Sequence, residues 1–135
     1  MTNQALVVGA SGIVGSALSR LLADGGWNVA GLARRPNTEA GVTPISADLL
    51  DPKALASALA GVSPTHVFLT TWARQASEAE NIRVNAQMVR NLLEAVRPDG
   101  TLRHVALVTG LKHYLGPFEA YGKGALPQTP FREEQ

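Results

Sequence analysis

The chain has 135 residues, enough for one domain with a real core. Hydrophobic residues make up 45% and charged residues 17%, as in ordinary soluble globular proteins, and a net charge of +1 gives no electrostatic case for nucleic acid or an anionic membrane. The chain lacks cysteine, which excludes disulfides, thiolate metal sites and a cysteine nucleophile, and no apolar run approaches the ~20 residues of a membrane span.

Met1-Thr-Asn-Gln4 runs almost directly into Ala5-Leu-Val-Val8, a short apolar run that reads as a buried strand. There is no charged leader and no signal-peptide core, so a cytoplasmic protein is expected. After the glycines that follow, Ile13, Ala17, Leu21 and Leu22 recur at helical spacing. They predict a helix from about Ile13 to Asp24, stopped at Gly25-Gly26. A second strand spans Asn28 to Ala33 and leads into Arg34-Arg35-Pro36. Asn37 to Gly41 reads as loop, and a short third strand as Pro44 to Ala47.

Asp51 before Pro52 has the form of an N-cap followed by proline at the first helical position. That helix carries Leu55, Ala58 and Leu59 on one face and stops at Gly61. The fourth strand is His66 to Thr70. Ser77-Glu-Ala-Glu80 has capping-box spacing and opens a helix with Ile82, Met88, Val89, Leu92, Leu93 and Val96, ending at Pro98. The fifth strand is Leu102 to Val108. The tail from Gly110 is rich in Gly and Pro and reads mostly as loop. There is no internal repeat. Strand and helix alternate throughout, so the expected fold is α/β: a doubly wound parallel sheet with right-handed crossovers, strand order 3-2-1-4-5 and helices on both faces. A ligand then sits at the carboxyl ends of the strands, between the first and the fourth.

The polar clusters follow that rule. Gly9-Ala-Ser-Gly12-Ile-Val-Gly15 turns a strand into a helix. Such a turn aims backbone N–H groups and a helix dipole at an anion, and glycine lets a pyrophosphate approach. The spacing is Gly-x-x-Gly-x-x-Gly rather than the standard Gly-x-Gly-x-x-Gly, and three glycines also suit a tight turn. About 20 residues beyond the glycines, where an NAD-selecting domain carries an acid, stand Arg34 and Arg35. Guanidinium forks match a 2′-phosphate, which points to NADP; solvated arginines at a strand end are the plainer alternative. Asp48 either accepts from an adenine amino group, with Leu49 against the ring, or caps a turn. Thr70, Thr71 and Trp72 line the ribose and pyrophosphate, and Trp72 also packs under the next helix. Asn85, on the apolar side of its helix, reads as a structural hydrogen-bonding residue. His66 and His104 read as surface or strand-end residues, and no carboxylate or second histidine is spaced for a metal. Lys112 follows the fifth strand and faces the same crevice, where it can hold a ribose and lower the pKa of a nearby hydroxyl, or is simply exposed. Neither Tyr114 nor Tyr121 has a lysine four residues later, so the chain contains no Tyr-x-x-x-Lys couple.

The chain resembles the extended short-chain dehydrogenase/reductases and, more narrowly, the progesterone 5β-reductase/iridoid synthase-like reductases. The resemblance covers nearly the whole chain. It rests on the glycine run, Ala33-Arg-Arg35, Ala47-Asp-Leu49, Thr71-Trp-Ala73, Glu78-Ala-Glu-Asn81, Asn91-Leu-Leu-Glu-Ala95 and, most specifically, Thr109-Gly-Leu-Lys-His-Tyr-Leu-Gly-Pro-Phe-Glu-Ala-Tyr-Gly122. It implies NADPH-dependent 1,4-reduction of enones, with a tyrosine hydroxyl on the enolate oxygen and the catalytic lysine of the Lys-His-Tyr run at Lys112. It adds Ala73 and Thr109 to a cofactor set of Gly9, Ser11, Gly12, Ile13, Val14, Gly15, Arg34, Arg35, Asp48, Leu49, Thr70, Thr71 and Trp72.

In the family the tyrosine belongs to a later Asn-Phe-Tyr-Tyr run that this sequence does not contain. The chain is therefore expected to be the cofactor-binding portion of a longer enzyme, residues 1–135 forming one NADP(H)-binding domain. Its fifth strand would be an exposed edge, open to a second copy in a homodimer. The alternatives are a non-catalytic NADP(H) sensor, which has no need of Lys112, and a nucleotide-sugar epimerase or dehydratase, which uses the absent tyrosine–lysine couple. The substrate expected of the whole enzyme is a small enone or carbonyl compound. This chain alone is expected to show no NADPH-dependent turnover of a simple enone. Absorbance loss at the nicotinamide band above the no-enzyme rate would overturn that expectation.

Overall fold

The computed structural model describes residues 2–37, 39–96, 100–110, 123–125 and 132–134. In chain order these form β1 (Gln4–Val8), α1 (Ile13–Asp24), β2 (Asn28–Ala33), β3 (Val42–Ser46), α2 (Pro52–Ala58), β4 (His66–Leu69), α3 (Glu78–Val96) and β5 (His104–Leu107). The strands make one sheet in the order β3-β2-β1-β4-β5, every neighbouring pair parallel. This is the doubly wound, Rossmann-type arrangement that the alternation predicts.

β1 is central because both of its faces are apolar. Leu6 and Val8 point into a core shared with Leu32, Val67 and Leu69, closed by Leu55 and Leu59 of α2 and by Met88, Leu92 and Val96 of α3. Ala5 and Val7 point the other way, into a smaller core with Val29, Leu18, Leu22 and Phe68. The period-two alternation of a strand thus feeds two helical layers from one sheet. No described helix is long and apolar enough to cross a membrane.

Several local expectations are met by named contacts. The Asp51 carboxylate accepts from the Ala54 N–H at 3.0 Å, capping α2 ahead of Pro52. The Ser77 hydroxyl accepts from the Glu80 N–H at 3.2 Å. The reciprocal half of that capping box is missing, because Glu80 turns instead to Arg83, 2.8 Å away. The hydrogen bond and charge of Arg83 hold the Glu80 carboxyl below its ordinary pKa.

The helix predicted from Ile13 to Asp24 is found with those bounds, but of the apolar residues that mark it Ile13, Ala17 and Leu21 turn to solvent, Ile13 being 92% and Leu21 70% exposed. The sheet side of α1 is Gly15, Leu18, Ser19 and Leu22. Gly15 stands first in that row because the helix start lies directly on the β1–α1 turn, where a side chain does not fit. β3 begins at Val42, not Pro44, and Pro44 sits mid-strand opposite Gly31. A proline is tolerated because β3 is an edge strand that needs no donor on its outer side. β4 ends at Leu69, one residue short of Thr70, and β5 is shorter than expected at both ends. The outer edge of β5 has no partner strand among the described residues, and Leu107 and Val108 are half exposed. Most of the tail from Gly110 lies outside the described residues.

A Cβ on Gly15 would run into the Gly9 carbonyl oxygen and come within 2.8 Å of the Thr70 hydroxyl. Gly15→Ala is therefore expected to cost about 1–3 kcal/mol, read as a lower urea midpoint. Unchanged stability would contradict the close packing of α1 on the turn.

Candidate functional site

All five strands run the same way, so the segments that leave their carboxyl ends gather on one side of the sheet. From β1 comes the glycine turn. Gly9 takes a φ of +87°, a backbone region closed to most side chains. Its N–H and that of Ala10 both donate to the Leu32 carbonyl, at 2.8 and 3.1 Å. On the other side, the Thr70 hydroxyl donates to the Val8 carbonyl at 2.7 Å. The turn is thus pinned between the ends of β2 and β4, and α1 leaves it at a fixed angle.

Gly12 is the N-cap of α1. It contributes no side-chain cap, and the first turn holds no acid. The leading N–H groups and the positive end of the helix dipole are therefore left uncompensated by the protein. Ser11, Gly12, Ile13 and Val14 are all exposed at this point, whereas Gly15 is buried beneath them.

β2 delivers the two arginines. Arg34 and Arg35 are exposed, and with Ser11 they line a cavity of about 530 Å³. Neither guanidinium has a carboxylate partner among the described residues, although Arg20 and Arg83 each have one. Two unpaired cations face an uncapped helix start, and the combination favours a polyanion.

The loop after β3 is tightly held. The Asp48 carboxylate accepts from the Leu50 N–H at 2.9 Å, and its carbonyl from the Asp51 N–H at 3.1 Å. Asp48 therefore does cap a turn, as the plainer reading had it, while its second carboxylate oxygen has no partner among the described residues. Leu49 is only 5% exposed and its side chain belongs to the core, so contact with a ligand ring falls to its backbone.

Beyond β4, Thr70, Thr71 and Trp72 line a larger cavity of about 1250 Å³, together with Val108, Thr109 and Gly110 after β5 and the Ile82, Val89 and Leu93 flank of α3. Trp72 is 61% exposed, so it is not packed away under α3. Ala73 is clamped by Asn85, which accepts from its N–H and donates to its carbonyl, both at 2.9 Å. Asn85 thus has the structural role expected of it. Lys112, Tyr114 and Tyr121 lie outside the described residues. His66 and His104 are register partners at the opposite, amino end of the sheet, their rings 6.1 Å apart.

One residue went unnoticed by itself in the sequence. Asn91, 6% exposed, donates to the Leu49 carbonyl at 2.7 Å and accepts from Gln87 at 2.6 Å. The available signal was an amide set into the Met88–Leu92–Val96 stripe.

Comparison with known proteins agrees with this geometry. The chain is 40% identical to an (S)-8-oxocitronellyl enol synthase of Camptotheca acuminata, over 96% of its own length and 36% of the relative's. It is 41% identical to a 3-oxo-Delta(4,5)-steroid 5-beta-reductase of Arabidopsis thaliana, with the same coverage. The chain thus spans about a third of the length of the curated relatives it matches. A crystal structure of a short-chain dehydrogenase/reductase superfamily protein from Agrobacterium tumefaciens with bound NAD superposes with a TM-score of 0.68 at 25% identity, covering 83% of this chain and 34% of that one. The family model of the NAD dependent epimerase/dehydratases matches residues 5–135. With the glycine turn, the parallel sheet and that match in agreement, the chain belongs to the NAD dependent epimerase/dehydratase family, and is similar along nearly its whole length to the enol synthase and the steroid 5β-reductase.

Proposed function

We propose that this chain is the NADP(H)-binding part of a reductase acting on the C=C bond of an enone. The observation that carries the cofactor half of this reading is the unpaired Arg34–Arg35 couple, facing Ser11 across a cavity at the open start of α1. A 2′-phosphate adds two negative charges near a ribose, and forked guanidinium donors match its oxygens in pairs. No acid stands at the end of β2 to take a 2′-hydroxyl instead.

The remaining residues fit the rest of the dinucleotide. Gly12, Ile13 and Val14 would offer N–H groups to the pyrophosphate, with Gly9 and Gly15 keeping the backbone clear. The free oxygen of Asp48 would accept from the adenine amino group, and the Leu49 N–H, which has no partner among the described residues, would donate beside it. Thr70, Thr71, Trp72, Ala73 and Thr109 would flank the ribose and nicotinamide side. When bound, the cofactor supplies hydride. Lys112 would hold the nicotinamide ribose and use its charge to favour ionisation of a neighbouring hydroxyl.

The substrate half of the proposal comes from the relatives. The steroid reductase is named for a 3-oxo-Δ4,5 substrate, an enone, and the other relative for an enol product. Both names describe conjugated carbonyl chemistry, in which charge develops on an oxygen that a proton donor must meet.

Titration with NADPH and NADH at fixed salt tests the cofactor. Trp72 borders the crevice, whereas Trp27 stacks edge-on with His66 at the far end of the sheet. NADPH is expected to quench Trp72, and a Trp72→Phe variant to lose that signal. Removing the guanidinium that makes the main contact, as Arg34→Ala or Arg35→Ala, should weaken NADPH by roughly ten- to a hundredfold and leave NADH almost unchanged. Equal affinities for the two cofactors in the unmodified chain would overturn the NADP assignment.

A further inference from the structure

We infer that Asn91, from within α3, is the positioning residue that sets the base-reading loop after β3. The inference rests on the dinucleotide reading above. Asn91 never reaches the crevice itself. It is buried, and both ends of its amide are committed: Nδ2 donates to the Leu49 carbonyl at 2.7 Å, and Oδ1 accepts from Gln87 Nε2 at 2.6 Å. The Leu49 carbonyl fixes which way the amide points, because it can only accept and so takes Nδ2, leaving Oδ1 to accept from Gln87.

The consequence is local and directional. Leu49 joins the Asp48 carboxylate to the turn that starts α2. Its side chain is anchored in the core and its carbonyl is taken by Asn91, so the chain there is held on two sides. The Leu49 N–H and one Asp48 carboxylate oxygen have no partner among the described residues. A donor beside an acceptor is the complement of the adenine edge, an acceptor nitrogen beside an amino group. A buried amide is costly to retain unless its hydrogen bonds are made. At a site with plain hydrophobic neighbours Met88 and Leu92, an apolar residue would pack as well. What the asparagine adds is a fixed peptide at Leu49. Asn85 does the same for Ala73 six residues earlier on the helix, so amides of α3 hold both the loop after β3 and the loop after β4.

The test compares NADP+ with its etheno-adenine analogue, whose base edge is chemically blocked while the phosphates are intact. The full chain is expected to bind NADP+ at least about tenfold more tightly than the analogue. Asn91→Leu should bring that ratio to about two or below while leaving affinity for the analogue unchanged, since the phosphate contacts do not involve Asn91. Gln87→Ala, at an exposed position that does not threaten folding, should lower the ratio in the same direction. A ratio unchanged by Gln87→Ala, or an Asn91→Leu variant that weakens both ligands equally, overturns the inference. Failure of the unmodified chain to bind either ligand would instead sink the dinucleotide reading itself.

Discussion

The contact between Gly15 and the Gly9 carbonyl is the constraint on which the rest of this structure depends. It brings the first turn of α1 against the end of β1 with no side chain between them. Only that closeness lets a helix start immediately after a strand and still point its N–H groups outward. The cost is that the first turn of α1 buries no apolar side chain, and Leu18 and Leu22 reach the core only further along. Ile13 and Leu21 stay in solvent while Gly15 and Ser19 take the sheet side. A helix optimised for stability alone would show the opposite pattern.

The same turn coordinates its neighbours. Leu32 receives two hydrogen bonds from the Gly9–Ala10 backbone, so the end of β2, and with it Arg34, is set relative to the helix start. Thr70 does the equivalent from β4 through the Val8 carbonyl. Phosphate recognition needs a fixed arrangement of cations and N–H donors more than it needs strong single contacts. Here the arrangement comes from backbone bonds between strands rather than from side chains that must each be ordered on binding. The arginines can then remain long, exposed and adaptable.

Much of this was legible in the sequence because it is written in local signals. Apolar runs between turn residues mark the strands, Asp51-Pro52 and Ser77 mark helix starts, and Arg34-Arg35 marks the carboxyl end of β2. What was not legible depends on partners distant in sequence. The exposed stripe of α1 has good helical periodicity, and nothing local says that a carbonyl from the preceding strand forbids bulk on the other side. Pro44 argues against a strand until β3 is known to lie at the edge. Leu49 and Asn91 are 42 positions apart, and their bond exists only because α3 crosses the sheet beside that loop. Residues that carry chemistry by holding others give weak sequence signals, because their meaning lies in the partner.

The sheet also changes character from one side to the other. β1 is apolar on both faces, and the β2 side ends in a cavity lined by Ser11, Arg34 and Arg35. Toward β5, Leu107 and Val108 are half exposed where the chain leaves the described residues, and the cavity beside α3 measures about 1250 Å³ against about 530 Å³ at the arginines. On the dinucleotide reading proposed above, the invariant part of the ligand, its phosphates and base, would be met by backbone held from several strands. The variable part would be met where apolar surface is plentiful and little is pinned. Rigidity is useful where every turnover presents the same group, and a roomy apolar wall is useful where the bound carbon skeleton is to be chosen. On that reading the two needs would be met on opposite sides of β1, with the amides of α3 holding the Leu49 and Ala73 loops while its Ile82–Val89–Leu93 flank lines the larger cavity.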